Sequence, residues 1–372
     1  MDRRAFITVI GGSVLAAPLT SETQQAAKVW RIGSVLVGTP ETVGHLDRAI
    51  ETSLAKVGYV SGRNISLMQQ IAPPQPARVE EVLRAIIPAI DLLIVGSTIG
   101  GVVAKKITTT LPTVFLSVGD PVRIGLVSSL RHPVGNMTGV TFESAEETYG
   151  KRLQLLKEIL PSLTTVGVLR TLGDANIINA MESLERAAPV LRVLLRPFDI
   201  KTRDDLDTTF AAMKTSGVQA LVVVAGGLTY AFGRRISELA LRYRLPSCHA
   251  FTDVVVVGGL ISLGPDLVLV VGQAGDYVDK IIRGANPGDL PVQQPARYEM
   301  AINLATAKAL GLTIPHPPRS IPESATSSRP DRRITHAQPT RPTPPGGGPF
   351  SAPYGQGTSR ACLAGDLGAV LA

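Results

Sequence analysis

Cysteine is nearly absent: Cys248 and Cys362 are the two in 372 residues. That is too few for a disulfide framework, and the two sit in stretches of very different character. A racemase that works with one cysteine per lobe is excluded, because Cys362 falls in a Pro/Arg/Gly-rich tail. The histidines His45, His132, His249, His316 and His336 are scattered without metal-ligand spacing, so no metal site is expected. His249 follows Cys248 on an expected strand, where neighbouring side chains point to opposite faces, so the pair reads as packing. No strand-like run is followed by Gly-x-Gly-x-x-Gly, and no Gly-x-x-x-x-Gly-Lys-Ser/Thr occurs. Dinucleotide and nucleoside triphosphate sites therefore lack their phosphate cradle, and no cofactor is expected. Aromatic residues make up 4% of the chain against 44% hydrophobic residues, which suits Val/Ile/Leu strands and Ala/Leu helices in an α/β fold. A dense Lys/Arg stripe is missing too. The net charge of +7 is partly owed to the tail after Pro315, where six arginines face Glu323, Asp331 and Asp366. The mild surplus left on the body describes a solvated surface, and no nucleic acid is expected as a partner.

The one markedly apolar run near the start, residues 5–17, is too short to span a bilayer as a stable helix. Preceded by Arg3-Arg4 and followed by small and polar residues, it reads as an export signal over 1–27, of the twin-arginine or the general secretory kind. From Trp30 onward, apolar runs alternate with amphipathic stretches, the signature of βαβ units and parallel sheets. Strands are expected at 31–37, 64–71, 91–95 and 112–117, with helices at 41–57, 77–90, 101–109 and 122–130. After Phe142 a second series begins. Ser144 and Glu147 have capping-box spacing and open a helix to about Leu160. Strands at 165–170, 192–198, 219–224 and 246–250 then alternate with helices at 175–191, 204–215 and 230–243. A strand at 260–263 and helices at 267–283 and 304–310 remain. The expected architecture is two Rossmann-like lobes joined by a multi-crossover hinge: 28–142 plus about 262–288, and 143–261 plus about 289–315. Crossings are expected near Thr141-Phe142, Gly259-Leu260 and Asp289-Leu290. Residues 316–372 have no periodic apolar face and read as a disordered tail.

In open parallel sheets ligands lie outside the carboxyl ends of the strands. Three loops of the first lobe combine glycine with a hydroxyl or carboxylate at a helix mouth: Gly38-Thr39, Ser97-Thr98, and Ser117 with Gly119-Asp120. Together they suit a small zwitterion, with Ser97, Thr98 and helix-end amides on its carboxylate and Asp120 facing its ammonium. The competing reading is structural, since Thr39 before Pro40 and Asp120 before Pro121 also look like caps followed by proline at the first helical position. Thr141 at the first crossing, and Thr229, Phe251 and Asp253 from the second lobe, complete the candidate ligand-binding set.

Several segments taken in order resemble a known family: Gly58-Tyr59-Val60-x-Gly62-Arg63-Asn64-Ile65, Ser117-Val118-Gly119-Asp120-Pro121, Gly135-Asn136-x-Thr138-Gly139, Gly150-Lys151-Arg152-Leu153, Gly264-Pro265-Asp266 and Asn303-Leu304-x-Thr306-Ala307-Lys308-Ala309-Leu310. Over about 28–315 the chain resembles the ABC-transporter substrate-binding family related to tryptophan-binding lipoproteins. The resemblance implies a type I periplasmic binding fold, an amino acid or related small polar ligand clamped between lobes, and no catalysis. It also implies periplasmic location, delivery to an ABC permease of the inner membrane, and a monomer. A sensory ligand-binding protein and a cytoplasmic α/β enzyme are the alternatives. Residues 170–174 and 225–229 depart from the family's usual loops, which puts the second lobe's ligand chemistry in question.

Overall fold

The computed structural model describes residues 28–314 apart from 144–147. The expected export signal, the capping pair Ser144 and Glu147, the tail and Cys362 lie outside the described residues.

Lobe one is built from β1 (Trp30–Val37), α1 (Pro40–Lys56), β2 (Ile65–Ala72), α2 (Pro76–Ile86), β3 (Leu92–Gly96), α3 (Thr98–Ile107), β4 (Thr113–Val118) and β5 (Met137–Thr141). Its five strands are all parallel, in the order β2-β1-β3-β4-β5. Strands such as β3, Leu-Leu-Ile-Val-Gly, are buried on both faces because helices cover both, so they read as continuous apolar runs. α1 packs Val43, Leu46, Ile50 and Leu54 against one face, and α2 packs Val79 and Leu83 against the other.

Lobe two follows with α4 (Thr148–Ile159), β6 (Thr165–Thr171), α5 (Asn176–Leu191), β7 (Leu194–Ile200), α6 (Asp205–Thr215), β8 (Ala220–Val223), α7 (Gly227–Ala231), α8 (Gly233–Arg242), β9 (Ser247–His249), α9 (Thr252–Val256) and β10 (Ile261–Gly264). The chain then supplies α10 (Leu267–Val271) and α11 (Ala274–Ile282), which pack on lobe one beside α1. It ends with β11 (Glu299–Ile302) and α12 (Leu304–Leu310) on lobe two. The second sheet has the order β11-β10-β9-β8-β6-β7, so its five parallel strands repeat the first sheet's order and β11 adds an antiparallel edge.

Several expectations need correction. Residues 122–130 form turns instead of a helix: the chain folds back on Asp120 and Pro121 and leaves the turn through Gly125 at φ 75°. The strand β5 was not expected, since its Met-Thr-Gly-Val-Thr sequence carries little apolar signal, yet every residue in it is buried. The crossing expected near Gly259-Leu260 comes after Gly264, because β10 pairs with β9 and β11. The crossing expected near Asp289-Leu290 comes after Gln293, whose backbone brackets β5 through Thr141 N–H to Gln293 O and Gln293 N–H to Gly139 O, both 2.9 Å. Two further helices split, at Phe232 and at Gly272-Gln273.

Gly139 explains why β5 tolerates no larger residue. Its φ is 154°, and a Cβ there would lie 1.9 Å from the Phe115 carbonyl oxygen of β4. Gly139→Ala is expected to cost roughly 3 kcal/mol, from strained backbone and a clash that only strand separation relieves. Urea unfolding of the variant checks this; an unchanged midpoint would refute it.

Candidate ligand-binding cleft

In a sheet ordered 2-1-3-4-5 the winding reverses between the first and third strands, and the crevice at their carboxyl ends is the natural ligand site. Here that happens twice, at β1/β3 and at β6/β8, and the two crevices face each other. Together they line one cavity, in the crevice between lobes where small ligands are held. Lobe one contributes Leu36, Val37, Ser97, Thr98 and Ser117, and lobe two contributes Asn176 and Ala225–Gly227. Val43 and Leu46 of α1 and Leu267 and Val271 of α10 add apolar wall. Three rings complete it: Phe251 meets Phe142 and Tyr230 edge to face, with centroids 5.4 and 5.6 Å apart. No charged side chain lines the cavity among the described residues.

The polar groups gather at one end. Ser97 directly follows β3 and Ser117 is the penultimate residue of β4; their φ of 70° and 55° are positive, a backbone that costs a serine about 1 kcal/mol or more. At Ser117 the β4–β5 register also slips. Such strain persists where surrounding structure over-determines it, often at a ligand clamp. The Ser97 hydroxyl accepts from Gly100 N–H at 3.3 Å as the N-cap of α3, and the positive end of that helix faces the cavity.

Across the cleft the lobes touch. The Thr98 hydroxyl accepts from Gly119 N–H at 3.0 Å and donates to Asn176 Oδ1 of lobe two at 3.1 Å. Asn176 Nδ2 in turn donates to Ala225 O at 2.9 Å, which fixes the amide's orientation. Arg123 of lobe one pairs with Glu182 of lobe two. The Tyr230 hydroxyl reaches Thr42 O of lobe one at 3.3 Å and Asp253 at 2.9 Å. The lobes are therefore closed on each other.

This geometry agrees with the comparisons. The ABC transporter substrate binding protein family matches residues 42–325. The chain belongs to that family. The substrate-binding protein is 26% identical over 282 residues to a tyrosine-binding protein of Clostridioides difficile (strain R20291), covering 74% of this chain and 81% of the relative. A conserved domain protein of Vibrio cholerae is 26% identical, with 80% of this chain and 97% of that one covered and a TM-score of 0.72. A Streptococcus pneumonia ABC domain in complex with L-Trp shares the fold at 22% identity and TM-score 0.72, over 77% and 96% of the two chains. The architecture is the two-lobed type I periplasmic binding fold, and the family's members are substrate-binding proteins, not enzymes.

Of the candidate residues in this binding protein, Ser97, Thr98, Ser117 and Phe251 line the cavity. Gly119 stands at its edge, where a Cβ would lie 2.2 Å from Asn176 Oδ1. The others are placed elsewhere. Thr39 forms the capping box of α1 with Thr42, and Gly38 donates its N–H to Ala72 O beside it. Asp120 accepts from the N–H groups of Val122 and Arg123 as a turn cap. The Thr141 hydroxyl donates to Glu143 O, and that of Thr229 to Val224 O. Asp253 is held by Tyr230, with His45 3.9 Å away. Sequence reasoning missed Asn176 and Tyr230; the signal for Asn176 was an acid-x-Asn start of a helix directly after a strand. Burial pushes the Cys248 thiol up to about 12 and holds the His249 imidazole down at about 3, so neither offers a reactive group at neutral pH.

Two outcomes follow from this packing. Gly119→Ala leaves the open lobe undisturbed but blocks Asn176 from docking, so scattering should show no compaction with ligand, and affinity should fall about tenfold or more, ~1.4 kcal/mol. Ser117→Gly should raise the empty protein's stability by about 1 kcal/mol in urea unfolding by relieving its φ; a loss of stability would contradict the strain.

Proposed function

We propose that this protein is the extracytoplasmic receptor of an ABC importer and binds an amino acid with a bulky apolar side chain between its lobes. The observation that carries the reading is the single cavity formed by both switch points: hydroxyls and a helix N-terminus at one end, aliphatic and aromatic walls elsewhere. A carboxylate is favoured beside Ser97, Thr98 and the start of α3, where N–H groups and the helix dipole converge. The side chain then lies among Phe142, Tyr230 and Phe251, where edge-to-face geometry accepts another ring. Relatives named for tyrosine binding and solved with L-Trp support this ligand class.

Residues 1–27 are the export signal in this reading, and the mature protein works in the periplasm as a monomer that docks on an inner-membrane permease. Among the described residues no helix is long and apolar enough to cross a membrane.

Thermal unfolding of the full chain against the twenty amino acids tests the ligand class. A true ligand at a hundredfold excess over its dissociation constant should add about 2.7 kcal/mol of stability. Large aromatic and branched side chains are expected to stabilise most, and acidic or basic ones not at all. A response to arginine or glutamate above that to tyrosine, tryptophan or leucine would overturn the reading.

A further inference from the structure

β8 ends at Val223, and the chain then runs along the cavity wall. Val224 N–H still finds a strand partner, Leu169 O at 3.0 Å. Ala225 N–H lies past the ladder, and the hydroxyl of Tyr149 accepts it at 3.0 Å. Tyr149 belongs to α4 and is 1% exposed, in the core of lobe two. Ala225 O in turn accepts from Asn176 Nδ2 at 2.9 Å, and Asn176 Oδ1 takes the Thr98 hydroxyl of lobe one at 3.1 Å. Tyr149 therefore stands two hydrogen bonds behind a contact made only when the lobes meet. We propose that Tyr149 is a positioning residue for lobe closure: it sets the Ala225 backbone so that the Asn176 amide is already turned toward Thr98, and this latch gives the protein a populated closed state even with its cleft empty. Closure set in this way does not depend on which molecule the cleft takes, so it goes beyond the ligand reading above.

Three observations converge on Tyr149. First, the latch needs a preset amide. Thr98 Oγ already accepts from Gly119 N–H at 3.0 Å, so its proton is the group it offers across the cleft, and an acceptor must meet it. Holding Asn176 Nδ2 on Ala225 O turns the amide oxygen to lobe one, and an amide fixed beforehand spares the cost of freezing it on contact. Second, Tyr149 is itself fixed from the hinge. Its ring lies 4.4 Å from the Arg152 guanidinium, whose Nε donates to Leu263 O at 2.9 Å beside the second crossing. The latch is thus set from the pivot about which the lobes swing. Third, the latch is dry. Thr98 and Asn176 are each 3% exposed, whereas the interlobe pair Arg123–Glu182 is open to water, where an ion pair contributes little.

The competing role for Tyr149 is core packing, with the hydroxyl serving only to satisfy Ala225 N–H. Both roles make Tyr149→Phe less stable, so stability does not separate them, but the closed population does. Double electron–electron resonance on the full chain would use nitroxides at Lys106→Cys on α3 and Glu185→Cys on α5, exposed sites on helices that start at the cleft in opposite lobes. Cys362→Ser leaves only the new thiols and the buried Cys248. Without any ligand, the labelled parent should show a shorter and a longer separation. Tyr149→Phe and Asn176→Ala should each lower the closed-to-open ratio by about fivefold or more, ~1 kcal/mol. Adding Tyr149→Phe to Asn176→Ala should then change it by less than about twofold, because the tyrosine acts through the asparagine. Thr98→Val removes the latch from the lobe-one side and should reproduce the Asn176→Ala loss; a normal ratio there overturns the latch whether or not Tyr149→Phe folds. No closed population in the parent, an unchanged ratio in either single lobe-two variant, or additive losses in the double variant also overturns it. So does a Tyr149→Phe chain that does not fold, which assigns the tyrosine to packing. Each of these results leaves the amino-acid reading standing, since that reading is judged by ligand binding alone.

Discussion

The arrangement depends on one constraint: parallel strands all end on the same edge of a sheet, so the loops that follow them and the helix N-termini they feed are gathered on one side. Two sheets of the same winding order, set with those edges face to face, bring both gatherings together. Everything that distinguishes the cleft follows from this. Ser97, Ser117, Asn176 and Gly226 lie at or just beyond the carboxyl ends of four different strands, and no local sequence pattern unites them. The helices behind them are locked by apolar cores on both faces of each sheet. The cleft loops are therefore placed by rigid supports and need few mutual contacts.

The hinge is fastened by a charged group with no access to water. Arg152 of α4 is fully buried. Its Nε donates to Leu263 O at 2.9 Å, next to the second crossing, and its guanidinium lies 4.4 Å from the Tyr149 ring centroid. The Tyr149 hydroxyl receives Ala225 N–H at 3.0 Å, on the cavity wall. Glu143, at the first crossing, is also buried and accepts from Asn179 at 2.7 Å. Burial raises its carboxyl, and the Arg152 charge opposes that rise. Removing one partner of such a buried arrangement leaves the other uncompensated, which is why the crossings are tied to lobe two more firmly than loops of their length would be.

Much of this was legible in the sequence where periodicity is long. α1 and α12 fall where their apolar spacing puts them, and so do the central strands of both sheets, because burial on both faces writes a continuous apolar run. β5 was not legible: with Thr138, Gly139 and Thr141 in five residues it has strand geometry imposed by β4 and by the returning chain at Gln293. The 122–130 segment has a helix-like composition but spends its backbone groups on turns around Asp120. In the cleft, a loop after a strand led to Ser97, Thr98 and Ser117, which line the cavity. It could not separate these from Thr39 and Asp120, because a hydroxyl or carboxylate before proline is the same letter whether it caps a helix or awaits a ligand. Asn176 was passed over for a related reason: its partners, Thr98 and Gly119, lie in the other lobe and far away in the chain.

Phe142 occupies two roles at one address. Its ring is cleft wall, packed edge to face on Phe251, while its backbone is the first strand of the hinge, with its N–H on Val118 O and its carbonyl accepting from Tyr298 at 3.3 Å. A molecule that pushes on this ring applies torque to the pivot itself. On the ligand reading proposed above, a guest's bulk would bear on the hinge strand as well as on the cleft wall.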